Sequence, residues 1–208
     1  VERVTHGRDG DDYLVNLNPS PAAPDGFRWR IRPDGWLRLD YHYTLHGEQP
    51  WLGITFDYPE AQLRALRWLG LGPEHVWKNR LAGPALGVHR KTANNTNTGQ
   101  QWSYPEFRGY HAGLRWAVLE NAGPPILLVT ETPDLFLRVL TWPKSSARIP
   151  GLNVPPPPGD LSLLHGINAI GHKFGDAASL GPQGLPNTAT GRYTGSADFF
   201  FGRPTSSP

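Results

Sequence analysis

The sequence contains no cysteine and no methionine. Without cysteine there is no disulfide, no thiolate metal ligand and no thiol nucleophile, so a cysteine mechanism is excluded and the redox compartment stays open. Long apolar runs are missing as well. Nothing approaches the roughly 18 consecutive apolar residues of a bilayer-spanning helix. The opening stretch VERVTHGRDGDD has neither the charged start nor the apolar segment of a leader peptide. No membrane partner is therefore expected. An excess of one charge is absent too, since 20 Lys and Arg face 18 Asp and Glu for a net charge of +2, and the basic residues are scattered. A phosphate backbone is bound by a basic stripe, so nucleic acid is not an expected partner. A chain with no methionine that opens in a polar stretch reads as a piece of a longer polypeptide, or as one stripped of its initiator.

What is present is aromatic and rich in turns. Eight Trp, seven Tyr and eight Phe can build a core, and 24 Gly with 22 Pro can join many short elements. At 208 residues a single core can bury about 70% of the unfolded surface. One domain over 1–208 therefore needs no disulfide or metal staple. The plainest periodicity is strict alternation. Leu37, Leu39, Tyr41, Tyr43 and Leu45 share one face of a strand, and Arg38, Asp40, His42, Thr44 and His46 the other. Phe27, Trp29 and Ile31 alternate with Arg28 and Arg30 just before it, and Arg32-Pro33-Asp34-Gly35 is a turn between antiparallel strands.

Further strands are expected at 52–58, at 66–71 ending in Gly72-Pro73, at 114–120, 126–130 and 135–140, and at 197–201. Helical periodicity is confined to three short candidates, Ala61 to Arg64, Glu74 to Arg80 and Asp176 to Leu180. Two long loops interrupt the pattern: the polar Lys91 to Gln101, and Ser145 to Asp160 with its run Pro155 to Pro158, which is expected to be polyproline II. The expected fold is all-β, a large antiparallel β-sandwich.

The string Arg67-Trp68-Leu69-Gly70-Leu71-Gly72-Pro73, followed by Val76-Trp77-Lys78-Asn79-Arg80, resembles the C-terminal small-chain domain of family 2 glycoside hydrolases of the β-galactosidase type. Tyr104-Pro105-Glu106-Phe107-Arg108-Gly109-Tyr110, the late HGINAIG stretch from His165 to Gly171, Leu180-Gly181-Pro182-Gln183 and Asp198-Phe199-Phe200-Phe201 are similar to later parts of that domain. The resemblance implies a galactose-mutarotase-like supersandwich appended after a catalytic barrel, with both catalytic glutamates elsewhere. A (β/α)₈ barrel takes about 250 residues of alternating strand and helix, which this chain does not have. In such enzymes the late loop can bring an aromatic platform to the active-site mouth. Here the stretch from Phe174 to Pro182 has no Trp, and Phe174 is its aromatic residue.

The residues also allow chemistry of their own. Asp40 and Asp57 lie on the polar faces of two expected strands, where a cross-strand pair of carboxylates would suit glycoside hydrolysis. Surface ion pairs with Arg38 or Arg30 are the commoner use of such acids. A mutarotase needs a histidine and a carboxylate at the sugar ring, for which His42, His89, His111, His172 and Glu106 are the groups to examine. No histidine or acid pair has ligand spacing on a recognisable element, so neither metal nor cofactor is expected.

Sugar binding calls for an aromatic face beside planar polar groups. Two places supply that mixture: Trp77, Lys78, Asn79 and Arg80, and Trp102, Tyr104 and Glu106. Both Trp77 and Trp102 would equally serve as packing anchors. Trp29, Trp68 and Trp116 fall in phase with apolar faces and are expected in the core, whereas Trp36, Trp51 and Trp142 stand at strand ends. The combined expectation is a non-catalytic accessory domain with two partners, a carbohydrate (a galactoside or a plant-type oligosaccharide) and the catalytic domain of a parent enzyme. An autonomous mutarotase-like or glycoside-processing enzyme, and a plain scaffold, are the alternatives.

Overall fold

A computed structural model describes residues 3–18, 25–92, 109–139, 157, 159–172 and 174–202 of the chain. Twelve strands account for most of them: β1 (Arg3–Asp9), β2 (Asp12–Asn18), β3 (Gly26–Ile31), β4 (Trp36–Gln49), β5 (Leu52–Phe56), β6 (Leu63–Val76), β7 (Ala85–Thr92), β8 (Tyr110–Asn121), β9 (Ile126–Val129), β10 (Phe136–Arg138), β11 (Leu161–Gly166) and β12 (Asn187–Phe201). The pairing is antiparallel throughout.

The long arm runs β1-β2-β3-β4-β12-β9-β8 and continues through β6 to β7. At β8 it forks. His111 of β8 pairs with Leu137 of β10, which leads through β11 to β5. Side chains of β5, β10 and β11 meet the inner face of β4, β6, β8, β9 and β12 in one buried cluster that includes Leu39, Tyr41, Ile54, Trp68, Leu114, Leu119, Leu128, Leu137, Leu163 and Phe199. This is the all-β antiparallel sandwich that the alternation leads one to expect.

The β3–β4 hairpin closes at the expected turn. Arg32 N donates to Trp36 O at 2.9 Å, Gly35 N donates to Arg32 O at 3.0 Å, and Trp36 N donates to the Asp34 carboxylate at 3.0 Å. Gly35 has φ +88°, a conformation that glycine adopts without a Cβ penalty. Elsewhere the structure corrects the expectations. Glu74 to Arg80 is not helical: β6 continues through Gly72-Pro73 as far as Val76, and Trp77 to Arg80 is a turn. The strand passes the glycine because a Cβ there would lie 2.7 Å from the His89 ring and 2.9 Å from Trp68. Residues 60–62 and 177–180 form only single 3₁₀ turns. Strands β1, β2, β7 and β11 were not foreseen. The first three are largely exposed or half-buried and carry mixed polar sequence, while β11 is buried along nearly its whole length and so shows no alternation.

Trp68 lies in the core with no exposed surface, and Trp29 packs against it from β3. Trp116 departs from expectation and is half-buried on the opposite face from Leu114. The cause is a bulge. Leu69 pairs with Trp116 but Leu71 pairs with Ala112, so two steps of β6 span four of β8, and Gly113 takes φ +58°. Asp40 and Asp57 are not neighbours either, because β4 sits between β3 and β12 while β5 pairs with β11. Truncating Trp68 to Ala should cost about 3–5 kcal/mol in urea unfolding. Trp36→Ala, which removes a half-buried ring tilted against Phe200 at 5.4 Å, should cost less than half of that.

Candidate functional site

The turn after β6 and the loop after β11 form one unit. Trp77 and Arg80 exchange backbone hydrogen bonds of 3.3 and 2.8 Å, which closes the turn. The Trp77 ring is only 1% exposed, and it stands edge-on to Tyr110 at 5.4 Å in a second buried cluster with Val76, Ala112, Leu164, Ile167 and Ile170. Tyr110 in turn donates its hydroxyl proton to the Asn168 side-chain oxygen. Trp77 therefore presents no open ring face to a pyranose, a correction to the platform role expected for it. It is a packing anchor.

The polar residues of the same turn reach the late loop. Lys78 N donates to Asn168 O at 3.1 Å, and Lys78 Nζ donates to the carbonyls of Leu185 at 2.7 Å and Pro186 at 2.9 Å. Partial burial lowers the Lys78 pKa from its ordinary value. The Asn79 amide grips Ile170 from both sides, donating to its carbonyl at 2.8 Å and accepting from its N–H at 3.0 Å. Arg80 donates to Gly171 O at 3.0 Å. In this structure the three side chains hold backbone carbonyls, an assignment that needs the same donors and acceptors as a sugar hydroxyl would.

What they hold is the loop tip. His172 and Gly175 pair across a tight turn with bonds of 2.9 and 3.3 Å, and Phe174 N donates to His172 Nδ1 at 3.0 Å. That bond makes Nδ1 an acceptor and leaves Nε2 to carry the proton of the neutral ring. Phe174, at the tip, is 87% exposed. Asn187 ties the far end of the loop down, donating to the carbonyls of Pro50 at 2.9 Å and Ile167 at 3.1 Å. Trp102, Tyr104 and Glu106, the other residues expected at a sugar site, lie outside the described residues.

Of the histidines singled out for acid–base work, the structure brings His89 and His111 together around Trp68, at ring distances of 5.3 and 4.3 Å. His75, which sequence reasoning missed, joins them edge-on to His111 at 4.4 Å. Its place in a strand that looked like a helix hid it. His42 stands apart on β4, in a shallow hollow of about 450 Å³ with Asp40, Glu131, Thr194 and Ser196. There Arg38 donates to Asp40 at 3.0 Å and Asp198 at 3.3 Å, and it lies 4.0 Å from Glu131. His172 is in the late loop. Among the described residues no group of three or more His, Asp or Glu is placed to hold a metal ion.

Comparison with known proteins agrees with the strings read above. Residues 5–153 match the family described as beta galactosidase small chain. A beta-galactosidase of Arthrobacter sp. (strain B7) is 25% identical over 169 residues, which is 77% of this chain and 16% of that protein. The chain thus spans about one-sixth of the length of this curated relative. The family match includes the Trp77–Arg80 turn and ends before the late loop.

The histidine cluster has a pH signature. Burial, with His75, Lys91 and His89 adding to it, holds the His111 pKa well below its usual 6.5. The unfolded chain therefore takes up a proton that the folded chain refuses. The stability contributed by neutral His111 is present above about pH 6.5 and is lost progressively as the pH falls below that value. His165, also lowered by burial, acts in the same direction. Urea midpoints measured from pH 7.5 to 5 should fall for the native chain, and His111→Phe should flatten a large part of that slope. An unchanged slope would assign the acid sensitivity elsewhere.

Proposed function

Because the chain belongs to the beta galactosidase small-chain family, we propose that it serves a glycoside hydrolase as a non-catalytic accessory domain, which packs on the catalytic domain and lends it a sugar-facing edge. The observation that carries this reading is the tip of the late loop. A buried tryptophan and three polar side chains fix the loop from beneath, and the ring at its end, edge-on to His172 at 6.3 Å, keeps 87% of its surface exposed. A fixed loop with an exposed aromatic tip is suited to stacking on the apolar face of a galactoside held in a neighbouring active site. In this reading Lys78, Asn79 and Arg80 act as positioning residues. The parent would be of the family 2 type, with the acid and nucleophile on its barrel.

The hollow on β4 favours one other reading, an autonomous mutarotase-like activity, because His42 and two carboxylates line it together. Arg38 bonded to Asp40 and Asp198 weighs toward a structural ion network there.

Kinetics of the intact enzyme separate these readings. Phe174→Ala should raise the KM for a galactoside about tenfold, a loss near 1.4 kcal/mol, with kcat within about twofold, and Phe174→Trp should restore binding. An unchanged KM would remove the platform and leave a scaffold. The purified chain alone should neither hydrolyse a chromogenic galactoside nor accelerate mutarotation of α-galactose. Activity abolished by Asp40→Asn would overturn the accessory reading.

A further inference from the structure

The outer face of the long arm carries an apolar strip that no described element covers. Val88 of β7 is in register with Leu69 of β6, Leu69 with Trp116 of β8, and Trp116 with Val129 of β9. Residues paired in this way project to one side of a sheet. Leu86 pairs with Leu71 one step along, and Val118 with Leu127 on the other side. Leu86 is 69% exposed and Val88 63%. Four strands at about 4.8 Å spacing make the strip roughly 14 Å wide, more than a single sugar ring would cover. Contiguous exposed apolar surface of this kind marks a protein contact.

Beside the strip lies a groove of about 650 Å³ whose floor includes Val118, Leu127 and Pro125 and whose walls include Arg64, Arg67 and Glu120. Arg90 forks onto Glu120 through bonds of 3.1 and 2.7 Å. Arg67 lies over the Trp116 ring at 5.9 Å. Among the described residues neither Arg64 nor Arg67 is bonded to a carboxylate, so three guanidinium groups face one acid. Arginine around an apolar centre is the composition of an interface core, and the charge balance calls for an acidic partner.

We propose that the strip and the groove are the docking face for an acidic, aliphatic surface of the catalytic beta-galactosidase polypeptide that this chain serves. The proposal rests on the accessory reading and adds to it the face that docks. Charge complementarity selects the partner's chemistry. The relative's length, about six times that of the matched segment, supplies a protein of adequate size. A second copy of the chain would bring its own arginines against these, which disfavours it.

Hydroxyl-radical footprinting of the intact enzyme tests the proposal directly. Leu86 and Val88 should react at least fivefold less than Val4 and Leu185, which are 54% and 51% exposed and lie off the strip. Arg64→Glu combined with Arg67→Glu should return Leu86 and Val88 to the reactivity of Val4, and the corresponding lysine variants should not, with far-UV circular dichroism confirming that each variant is folded. Leu86 and Val88 reacting as freely as Val4 in the native enzyme would overturn the proposal. So would a sedimentation-velocity dimer of the chain alone that Val88→Asp dissociates, which would make a second copy the occupant. If Phe174→Ala raises KM while the strip remains reactive, the docking face fails and the accessory reading stands.

Discussion

One strand has to serve two arms, and most of the structure follows from how it does so. The start of β8 pairs with β10 at His111 and with Val76 of β6 at Tyr110, whereas its far half pairs with β6 and β9. A straight strand cannot face both neighbours, so β8 breaks at Gly113, where φ is +58° and a Cβ would lie 3.2 Å from Leu71. Leu114 leaves the β6 ladder and donates to Leu135 O at 2.9 Å, and Thr130 N donates to Arg115 O at 2.9 Å. The bulge thus closes its own backbone bonds, which is why the fork can be buried. It also reverses the phase of β8, sending Leu114 inward and Trp116 outward.

The same break places the candidate site. Upstream of Gly113 lie Tyr110 and Ala112, which with Val76 and Trp77 build the second core under the late loop. Magnitudes weigh the roles within it. Burying an indole of about 150–250 Å² at about 25 cal/mol per Å² is worth roughly 4–6 kcal/mol. A single hydrogen bond from Asn79 or Lys78 adds about 0.5–1.5 kcal/mol net. The ring holds the turn against the loop, and the hydrogen bonds choose which carbonyls meet it. The five side-chain bonds from Lys78, Asn79 and Arg80 together come to about 2.5–7.5 kcal/mol, comparable to the ring, so ring and bonds share the local stability while the bonds make the loop geometry specific.

Much of this was legible in the sequence, for reasons that can be named residue by residue. The β3–β4 hairpin was readable because Phe27 to Leu45 alternates across a Pro-Asp-Gly turn and both strands have one wet face. β11 was not readable because its Leu161, Leu163 and Leu164 are buried along with Ser162 between two neighbours. The Glu74 to Arg80 stretch looked helical through local spacing, but its pairing partners, Tyr110 and the residues of the late loop, are 34 to 108 positions away in the chain. The Trp77–Arg80 turn stood out through its mixture of aromatic and planar polar groups. The direction in which that mixture faces was not encoded locally. Amide and guanidinium groups satisfy a backbone carbonyl with the same geometry as a hydroxyl, so only the position of Ile170 and Gly171 in space decides between them. Phe174 was readable as the loop's aromatic residue, and its exposure follows from the His172–Gly175 turn that lifts it.

The outer face shows what the chain leaves unsatisfied. Following one register across the long arm, Val88, Leu69, Trp116 and Val129 are succeeded by Asp198, Arg38 and Arg30. The ionic half is self-contained: Arg30 holds Asp9 and Asp12, and Asp198 sits between Arg32 and Arg38. Such exposed pairs contribute little to folding, yet they keep that half wet and closed to apolar partners. Among the described residues the apolar half has no comparable cover, and β7 at its edge carries Leu86 and Val88 outward where a monomeric sheet usually places charge. A partner that approaches this face is therefore oriented before contact, with its apolar area confined to β7, β6, β8 and β9 and any misplaced overlap onto β12 and β4 penalised by desolvating paired charges. The phase reversal at Gly113 sets that boundary too, since without it Trp116 would point inward and the strip would be divided in two.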